Sequence, residues 1–481
     1  DFAHVTKVDN HVRLQHSMLA RHFIKFVKHK VKNHSTDVVV TSHGRRMTLG
    51  SLYNALGIPI DNLTVDALYV RTDSGLTHLD ESSLGTTADG KTPPPNKDLA
   101  SSALFHLYNI FLMSENDIDG LYFAELAKEV LQKRERNPQI LHEFRLIHLG
   151  RSRDEWDRLA KWLLKNGLNS PSVQWVIELP QSYWYLRRNN VVNNLQEYFD
   201  NIFHPLLEVT RDPKSHPELA QVLHRISGFY VPPSSTGVVD NKLERISPVA
   251  YTKTDQPPLP YLMYYYWANI YSLNACRKIK RQHGLTLRAT TDSSAHSVPK
   301  ASLWALSSVI HNADSVLRNS SALTYLCYLT QTATTVSPLA SNTRARHYSD
   351  SLFMAYFRQG LNVSLSSDNP LQLHMTNEPL NEEYAIASHM WKLSNCDLSE
   401  IARASVLMSG FHFFEKCKRI GENHFLCGTA GNDPMKTNVP NIRCAFREAT
   451  LNEELRHLSS GSLSRTASNI DLQRYYTGSD V

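Results

Sequence analysis

Short apolar runs alternate with amphipathic stretches along most of this 481-residue chain. Each run spans only a few residues and is followed by polar residues, which is the pattern of parallel strands buried on both faces. The stretches between them carry apolar residues at helical spacing, as with Trp156, Leu159 and Leu163. The predicted strands are residues 7–13, 144–149, 173–179, 225–231, 285–289, 307–310, 333–339 and 361–365.

Strands that alternate with helices predict an α/β fold with a parallel sheet, and eight of them favour a closed (β/α)8 TIM-type barrel. An open doubly wound sheet is less favoured, because no Gly-x-Gly-x-x-Gly motif follows any predicted strand. We assign residues 1–455 to one barrel domain, with surrounding helices at 382–393 and 398–414. Polar composition further predicts a mobile insert at about 71–97, a loop at about 232–260 and a disordered Ser/Thr-rich tail at 456–481.

Composition and charge exclude several classes of protein. With 41% hydrophobic and 20% charged residues, the chain has the composition of a globular protein. A net charge of +5 without a long basic run predicts no nucleic-acid partner, and no apolar run is long enough to span a membrane. Six cysteines without a C-x-x-C pair argue against a cysteine zinc site and predict an intracellular, cytoplasmic protein. The first residue is Asp1, so an N-terminal targeting segment would be missing from this sequence.

Several motifs resemble those of the AMP deaminases, members of the adenosine-deaminase-like metal-dependent hydrolases. They include GRSRDEW at 150–156, NEPLNEEYAIA at 377–387 and GNDPMKTNVPNIR at 431–443. The turn after the last predicted strand, Ser367-Asp-Asn-Pro370, also resembles the family's Ser-Thr-Asp-Asp-Pro. This resemblance implies a (β/α)8 barrel, one zinc ion, hydrolysis of AMP to IMP in purine metabolism, and assembly of active members as homotetramers.

The metal ligands that the resemblance implies are only partly present. The family has His-x-His at the end of the first strand, whereas this chain has His11-Val-Arg13. Arginine cannot ligate a metal, and its fixed charge repels Zn²⁺. In the last turn, the ligand Asp corresponds to Asp368, and the Asp that contacts the purine has become Asn369. We therefore expect a degenerate zinc site that keeps His11 and Asp368 and has lost at least one ligand.

The proton shuttle that the resemblance implies is also missing. At the end of the fifth strand, the family's His-Cys-Gly-Glu corresponds to Thr290-Thr-Asp-Ser293, so the ligand His is Thr290 and the catalytic Glu is Ser293. His311 follows the sixth predicted strand, and the sequence leaves open whether it stands at the family's His position. The family's phosphate-binding stretch corresponds to residues 79–87, which carry two acids that would repel a phosphate.

These losses predict a catalytically inactive AMP-deaminase-like protein that acts as a structural or regulatory subunit, with no catalytic residues and no cofactor. Its partners would be proteins: a second copy, an active AMP-deaminase-like subunit or a larger assembly. We also expect Arg13 and Asp368 to form an internal ion pair in the former metal site. Ser468 follows Arg465 in an Arg-x-x-Ser pattern, which makes it a candidate phosphorylation site, although the composition of the segment favours a disordered linker over a regulated site.

Two other functions remain open. The chain could be an active zinc-dependent AMP deaminase that borrows ligands such as His16 or His374. It could also be a sensor that binds purine nucleotides without turnover. A further reading is that His11 and Asp368 are polar residues that only hydrogen-bond across the barrel.

Overall fold

Eight parallel strands form one sheet, whose order follows the chain from Lys7–Arg13 to Val363–Leu365 and leaves out the second and third strands of the sequence. The computed structural model describes residues 2–42, 45–57, 59–64, 106–233, 246–290, 297–318, 320–343 and 347–461. Within them, β2 and β3 form a separate antiparallel pair. The strands are β1 Lys7–Arg13, β2 Val38–Ser42, β3 Arg45–Thr48, β4 Ile140–Ile147, β5 Val173–Glu178, β6 Ile226–Val231, β7 Thr286–Ala289, β8 Val309–Ile310, β9 Ala333–Val336 and β10 Val363–Leu365.

The sheet closes where β10 returns to β1. A parallel bridge joins Val12 to Asp368, and the Asp368 amide donates to the His11 carbonyl at 3.0 Å. At the same seam the Ser367 amide donates to Asp9 Oδ1 at 3.1 Å. The register of β1 against β4 shifts between Asp9 and Val12, which is the kind of irregularity that bends a strand at a barrel rim. The predicted (β/α)8 barrel is therefore confirmed.

Helices connect the strands on the outside of the barrel, and residues 106–112 are also helical. The longer ones place an apolar face on the sheet, because parallel strands must be covered on both sides. The α-helices with defined bounds are Ala20–Asn33, Leu49–Ala55, Leu121–Arg134, Glu155–Lys165, Tyr183–Arg188, Leu195–Arg211, Pro217–Leu223, Leu259–Ile279, Ser297–Leu306, Ala313–Leu317, Ser321–Thr330, Pro338–Thr343, Phe353–Gln359, Pro370–Leu373, Pro379–Trp391, Asn395–Met408, Phe413–Ile420, Pro434–Thr437 and Asn441–Gly461. In the described part of the chain, no helix is both long and apolar enough to cross a membrane.

The stretch predicted as one helix at 398–414 is helical up to Met408 and then contains a break before a second helix. The first, Asn395–Met408, begins at a capping box between Ser394 and Asp397. The chain then turns through Gly410, whose amide donates to the buried carboxylate of Glu143 at 2.8 Å. A Cβ on this glycine would lie 2.0 Å from the Ser227 Cβ, so the turn needs a glycine to approach the barrel so closely. The second helix, Phe413–Ile420, follows.

The boundary predicted for the C-terminal tail also moves. Helix Asn441–Gly461 continues through residues 456–461, which were predicted as the beginning of the tail. The rest of that tail lies outside the described residues, as do the predicted insert at 71–97 and residues 234–245 of the predicted loop. Residues 246–258 of that loop are described, and helix Leu259–Ile279 begins directly after them.

Candidate functional site

The carboxyl ends of the barrel strands bring the retained family positions together at one end of the barrel, which we call the mouth. His11 Nε2 lies 3.4 Å from Asp368 Oδ1, where β1 meets the segment after β10. Thr290 directly follows β7, and His311 directly follows β8. Parallel strands all end at the same side of a barrel, so residues distant in sequence become neighbours there.

Aromatic rings pack around His11 inside the mouth. The His11 and His311 rings stack, with centroids 4.1 Å apart and planes inclined by 20°. Tyr230 meets His11 edge-on at 5.1 Å. His311 Nδ1 also lies within hydrogen-bond distance, 2.9 Å, of Thr335 Oγ1. Burial, together with nearby Arg288 and Arg145, lowers the pKa of His311, so this imidazole is neutral near pH 7.

Arg13 forms a two-point ion pair with Glu178, at the end of β5. Arg13 Nε donates to Glu178 Oε2 at 2.9 Å, and a terminal nitrogen donates to Oε1 at 2.6 Å. Both side chains are buried. Burial alone would lower the pKa of Arg13, but the Glu178 carboxylate outweighs it and raises that pKa. The position at which the resemblance implies a second zinc ligand therefore holds a permanent cation that is paired with the Glu178 carboxylate.

The predicted ion pair between Arg13 and Asp368 is thus corrected. The Arg13 guanidinium is oriented toward β5 by Glu178, whereas Asp368 faces His11 and Arg145. The physical reason is geometric: a planar guanidinium binds best to a carboxylate that presents both oxygens in its plane, and Glu178 offers this arrangement.

Arg145, on β4, was missed by sequence reasoning and completes the charges of the mouth. Its guanidinium lies 3.6 Å from Glu178, 3.7 Å from Asp368, and 4.4 Å above the Tyr230 ring. Two arginines and two carboxylates therefore balance one another beside the stacked histidines. The sequence feature that could have indicated Arg145 is an arginine at an inward position of a buried strand. A buried arginine requires a nearby acid.

A second buried ion pair lies inside the barrel. Both terminal nitrogens of Arg288, on β7, donate to the Glu143 carboxylate at 2.7 Å, and both side chains are fully buried. Asn10 also donates to Glu143, at 2.8 Å. Together these bonds keep the pKa of Glu143 low despite its burial. Because every charge here has a partner, this cluster is part of the packed interior and offers no reactive group.

The remaining predicted positions divide into three groups. Thr290 and Asn369 are buried, and neither Thr290 Oγ1 nor the Asn369 amide atoms have a hydrogen-bond partner within the described ranges. His374, which an active enzyme could borrow as a zinc ligand, lies within hydrogen-bond distance, 3.0 Å, of Glu383. Ser293, Ser468 and residues 79–87 lie outside the described residues.

The side chains at the mouth do not fit the zinc ion that the resemblance implies. Structural and catalytic zinc sites need three or four neutral or anionic donors around one point. Here His11 and Asp368 contact each other, and Arg13 and Arg145 add two fixed positive charges. Among the residues that the structure describes, no group of three or more His, Cys, Asp or Glu side chains could hold a metal ion. The donor set therefore disagrees with a bound zinc ion.

Comparison with known proteins identifies relatives along nearly the whole chain. An AMP deaminase of Dictyostelium discoideum is 38% identical over 96% of this chain and 57% of its own length. AMP deaminase 3 of Homo sapiens is 36% identical over 96% of this chain and 59% of its own length. The chain thus spans little more than half of these relatives. A solved structure of Arabidopsis ADAL complexed with GMP aligns over 87% of this chain and 96% of that chain, with 10% identity and a TM-score of 0.49.

The sequence profile of one family also matches almost the entire chain. It is described as AMP deaminase and covers residues 1–464, which include all eight strands of the barrel and both His11 and Asp368 at the mouth. With this match and the sequence relatives, the chain belongs to the AMP deaminase family.

Proposed function

We propose that this chain is a non-catalytic member of the AMP deaminase family that acts as a structural or regulatory subunit. The observation that carries the proposal is the buried two-point pair between Arg13 and Glu178. It places a permanent cation where the family resemblance implies a zinc ligand. Burial of the Arg13 charge is unfavourable, but the Glu178 carboxylate already offsets it. The mouth therefore needs no metal ion to become neutral.

The remaining groups cannot replace the missing chemistry. Hydrolytic deamination of a purine needs water made nucleophilic near neutral pH, which a bound metal achieves by lowering the pKa of water from 15.7 to about 7. A single positioned acid or base contributes only about 10²–10⁴-fold. The neutral His311 could therefore supply at most a small part of the acceleration. Thr290 and Ser293 provide neither a metal ligand of the family's type nor a carboxylate.

The direct test is ammonia release from AMP by the purified chain, with and without added Zn²⁺. We expect background rates in both cases, because the described residues offer no ligand set for a metal that activates water, and Ser293 stands where the resemblance implies the proton-shuttle Glu. The Dictyostelium relative, assayed in parallel, is the positive control. Enzyme-dependent ammonia release that persists in several preparations would establish instead an active deaminase with unusual ligands. Metal analysis after dialysis would then identify stoichiometric zinc.

A second candidate, a purine-nucleotide sensor, is favoured by Asn369. Both polar atoms of its amide are buried and lack a partner among the described residues. A side-chain amide can bond to the N6 and N7 edge of adenine with both atoms, and each such pair contributes about 1–3 kcal/mol of discrimination. AMP, IMP and GMP should be tested by thermal shift against the chain and Asn369→Leu. A shift with AMP that the variant loses supports a sensor, and flat curves at millimolar ligand exclude it.

A further inference from the structure

One outer helix of the barrel carries a stripe of cations. Helix Ala20–Asn33 has no Asp or Glu among its 14 residues, and its buried side carries Phe23, Phe26 and Val27. On the opposite side lie four cations spaced by three and four residues. This spacing places them within about 60° of arc around the helix axis and along a length of about 16 Å. They are Arg21, Lys25, Lys28 and Lys32.

Two further cations extend this stripe onto the neighbouring helix, Leu121–Arg134, and the turn after it. Lys133 Nζ donates to His22 Nδ1 at 3.3 Å, which brings it beside the first turn of helix Ala20–Asn33. Burial lowers the pKa of Lys133, and nearby cations, which include Arg136 and Lys25, lower it further. We call the following residues the basic face: Arg21, Lys25, Lys28, Lys32, Lys133 and Arg136.

The basic face is not neutralised by acids of the chain that the structure describes. In these ranges, none of Arg21, Lys25 and Lys32 forms an ion pair. The nearby Glu129 is already in contact with His22. Like charges gathered in this way repel one another, and a bound anionic group relieves the repulsion.

A small polar cavity lies beside Lys133. Lys133, Arg134 and His142 line it, and its volume of about 10 Å³ is that of one small polar group. His142 is 2% exposed, and neither of its ring nitrogens has a hydrogen-bond partner among the described residues. Burial and the nearby Arg134 lower the pKa of His142, so the ring is neutral and has one N–H to donate. Glu378, which also lines the cavity, accepts from Asn137 at 3.1 Å. One carboxylate oxygen therefore has a free donor and two cations beside it.

The surroundings of the basic face favour a protein over a membrane or a nucleic acid. A helix that binds a lipid surface exposes an apolar side beside its cations. Here that side is buried, as Phe23 and Val27 show. Glu129, whose side chain is 48% exposed, lies among the cations, so a uniformly anionic surface meets a repulsive carboxylate there. A protein segment can place its own carboxylates opposite the cations alone.

We propose that the basic face binds an acidic segment of a partner protein. Cations three and four residues apart on one helix match carboxylates at the same spacing on another, about 5–6 Å apart. Complementary charges of this kind set orientation and speed association more than they add affinity, and salt screens them. The inference rests on the proposed subunit role, because it names the chemistry of a protein partner for that role.

The test is fluorescence anisotropy of a labelled alanine-based peptide with Glu residues three and four positions apart, titrated with the intact chain. We expect saturable binding at low salt that weakens as salt is added, and no binding of the same peptide with Gln in place of Glu. Lys25→Glu combined with Lys32→Glu should weaken binding about tenfold or more with an unchanged melting temperature. Lys25→Gln combined with Lys32→Gln adds no repulsion and should weaken it by a smaller factor.

The matched control is Lys161→Glu combined with Lys165→Glu. Both lysines are exposed on helix Glu155–Lys165, outside the basic face, and this pair changes the net charge by the same amount. It should bind the Glu peptide as the native chain does. Equal loss in the two glutamate pairs would show that only net charge matters, which overturns the proposal.

A native chain that ignores the Glu peptide at low salt also overturns it. Vesicles that contain phosphatidylserine, and duplex DNA, are tested at the same salt. If either binds more tightly than the peptide and loses binding in the Lys25 and Lys32 variants, the basic face belongs to another polyanion and the proposal is wrong. The ammonia assay keeps the two proposals apart. An inactive chain that ignores the peptide refutes only the acidic partner, and an active chain that binds it refutes only the loss of catalysis.

Discussion

Arg13 and Glu178 are joined by two hydrogen bonds across the mouth, between the ends of β1 and β5. They lie beside His11 and Asp368, the two positions at which the resemblance implies that zinc ligands are kept. Arg145 bridges the groups, because it lies within 4 Å of both carboxylates. The two arginines and the two carboxylates of the mouth are thus paired with one another. The first consequence of this pairing concerns stability.

Removal of either partner of the Arg13–Glu178 pair should destabilise the fold strongly. Breaking a buried pair leaves an uncompensated charge and typically costs about 3–5 kcal/mol. We expect Arg13→Ala and Glu178→Ala each to lose free energy of unfolding on this scale in urea titrations. The double variant should lose clearly less than the sum, because it leaves no unpaired charge of this pair. Strictly additive losses would show that the pair is not coupled.

Asp368 should matter less to stability than Glu178. Its oxygens lie 3.4 Å from His11 and 3.7 Å from Arg145, which is longer than the 2.6 Å contact between Glu178 and Arg13, and its side chain is 10% exposed. We expect Asp368→Ala to cost about 1–3 kcal/mol, as for loss of an ordinary buried hydrogen-bonding group. Urea titrations beside Glu178→Ala give the comparison. An equal or larger loss for Asp368→Ala would contradict this ranking.

The barrel could be predicted from sequence because each strand is a local apolar run with a polar exit. The run at 333–336 and the one at 363–365 are recognisable without knowledge of any partner. The separate pair β2 and β3 was missed, because the sequence 38–48 is short and partly basic. A hairpin of this length has little apolar periodicity to detect.

The ion pairs of the mouth could not be predicted in the same way. The family comparison indicated that Arg13 would need an acid, and Asp368 was the acid already known to lie nearby. Glu178 lies two residues before Pro180 at the end of a strand, and nothing in its local sequence shows that it faces inward beside β1. Its partner is set by strand tilt and by the register shift in β1, which are properties of the closed barrel.

Single reversions toward the family's residues should not restore activity. Arg13→His returns one ligand type but leaves Glu178 with only its longer contact to Arg145, at 3.6 Å, so we expect a lower melting temperature and background ammonia release. Adding Glu178→Gln to Arg13→His removes the unpaired charge and should recover part of the melting temperature while activity stays at background. Groups that act together in catalysis are not additive, so one repair leaves the site incomplete.

The fair test of the reversion is the combination Arg13→His, Thr290→His, Ser293→Glu and Asn369→Asp. It is assayed for ammonia release from AMP with added Zn²⁺, beside each single variant. Activity in the combination alone would show that loss of these groups explains the inactive chain. Activity in Arg13→His alone would show that the other positions do not limit catalysis.

Glu383 should make the stability of the fold depend on pH, in the direction opposite to a carboxylate whose pKa is lowered by folding. Burial raises the pKa of this side chain from 4.5 to about 7, although its bonds to His374 and to the Leu339 amide oppose the shift. Between about pH 4.5 and 7 the folded chain therefore binds the proton more tightly than the unfolded chain. The contribution of Glu383 to stability must fall as the pH rises through this window, and it is constant above it.

The measurement is urea unfolding from pH 4.5 to 7.5 for the native chain and Glu383→Gln, which keeps an acceptor for the Leu339 amide but cannot ionise. The native free energy of unfolding minus that of the variant should decrease toward higher pH. Glu453→Gln, at a side chain that is 73% exposed, is the control and should follow the native pH dependence. If the difference for Glu383→Gln rises with pH, the carboxylate is favoured by folding. The pair with His374 would then be a net stabilising ion pair, and burial would not dominate this site.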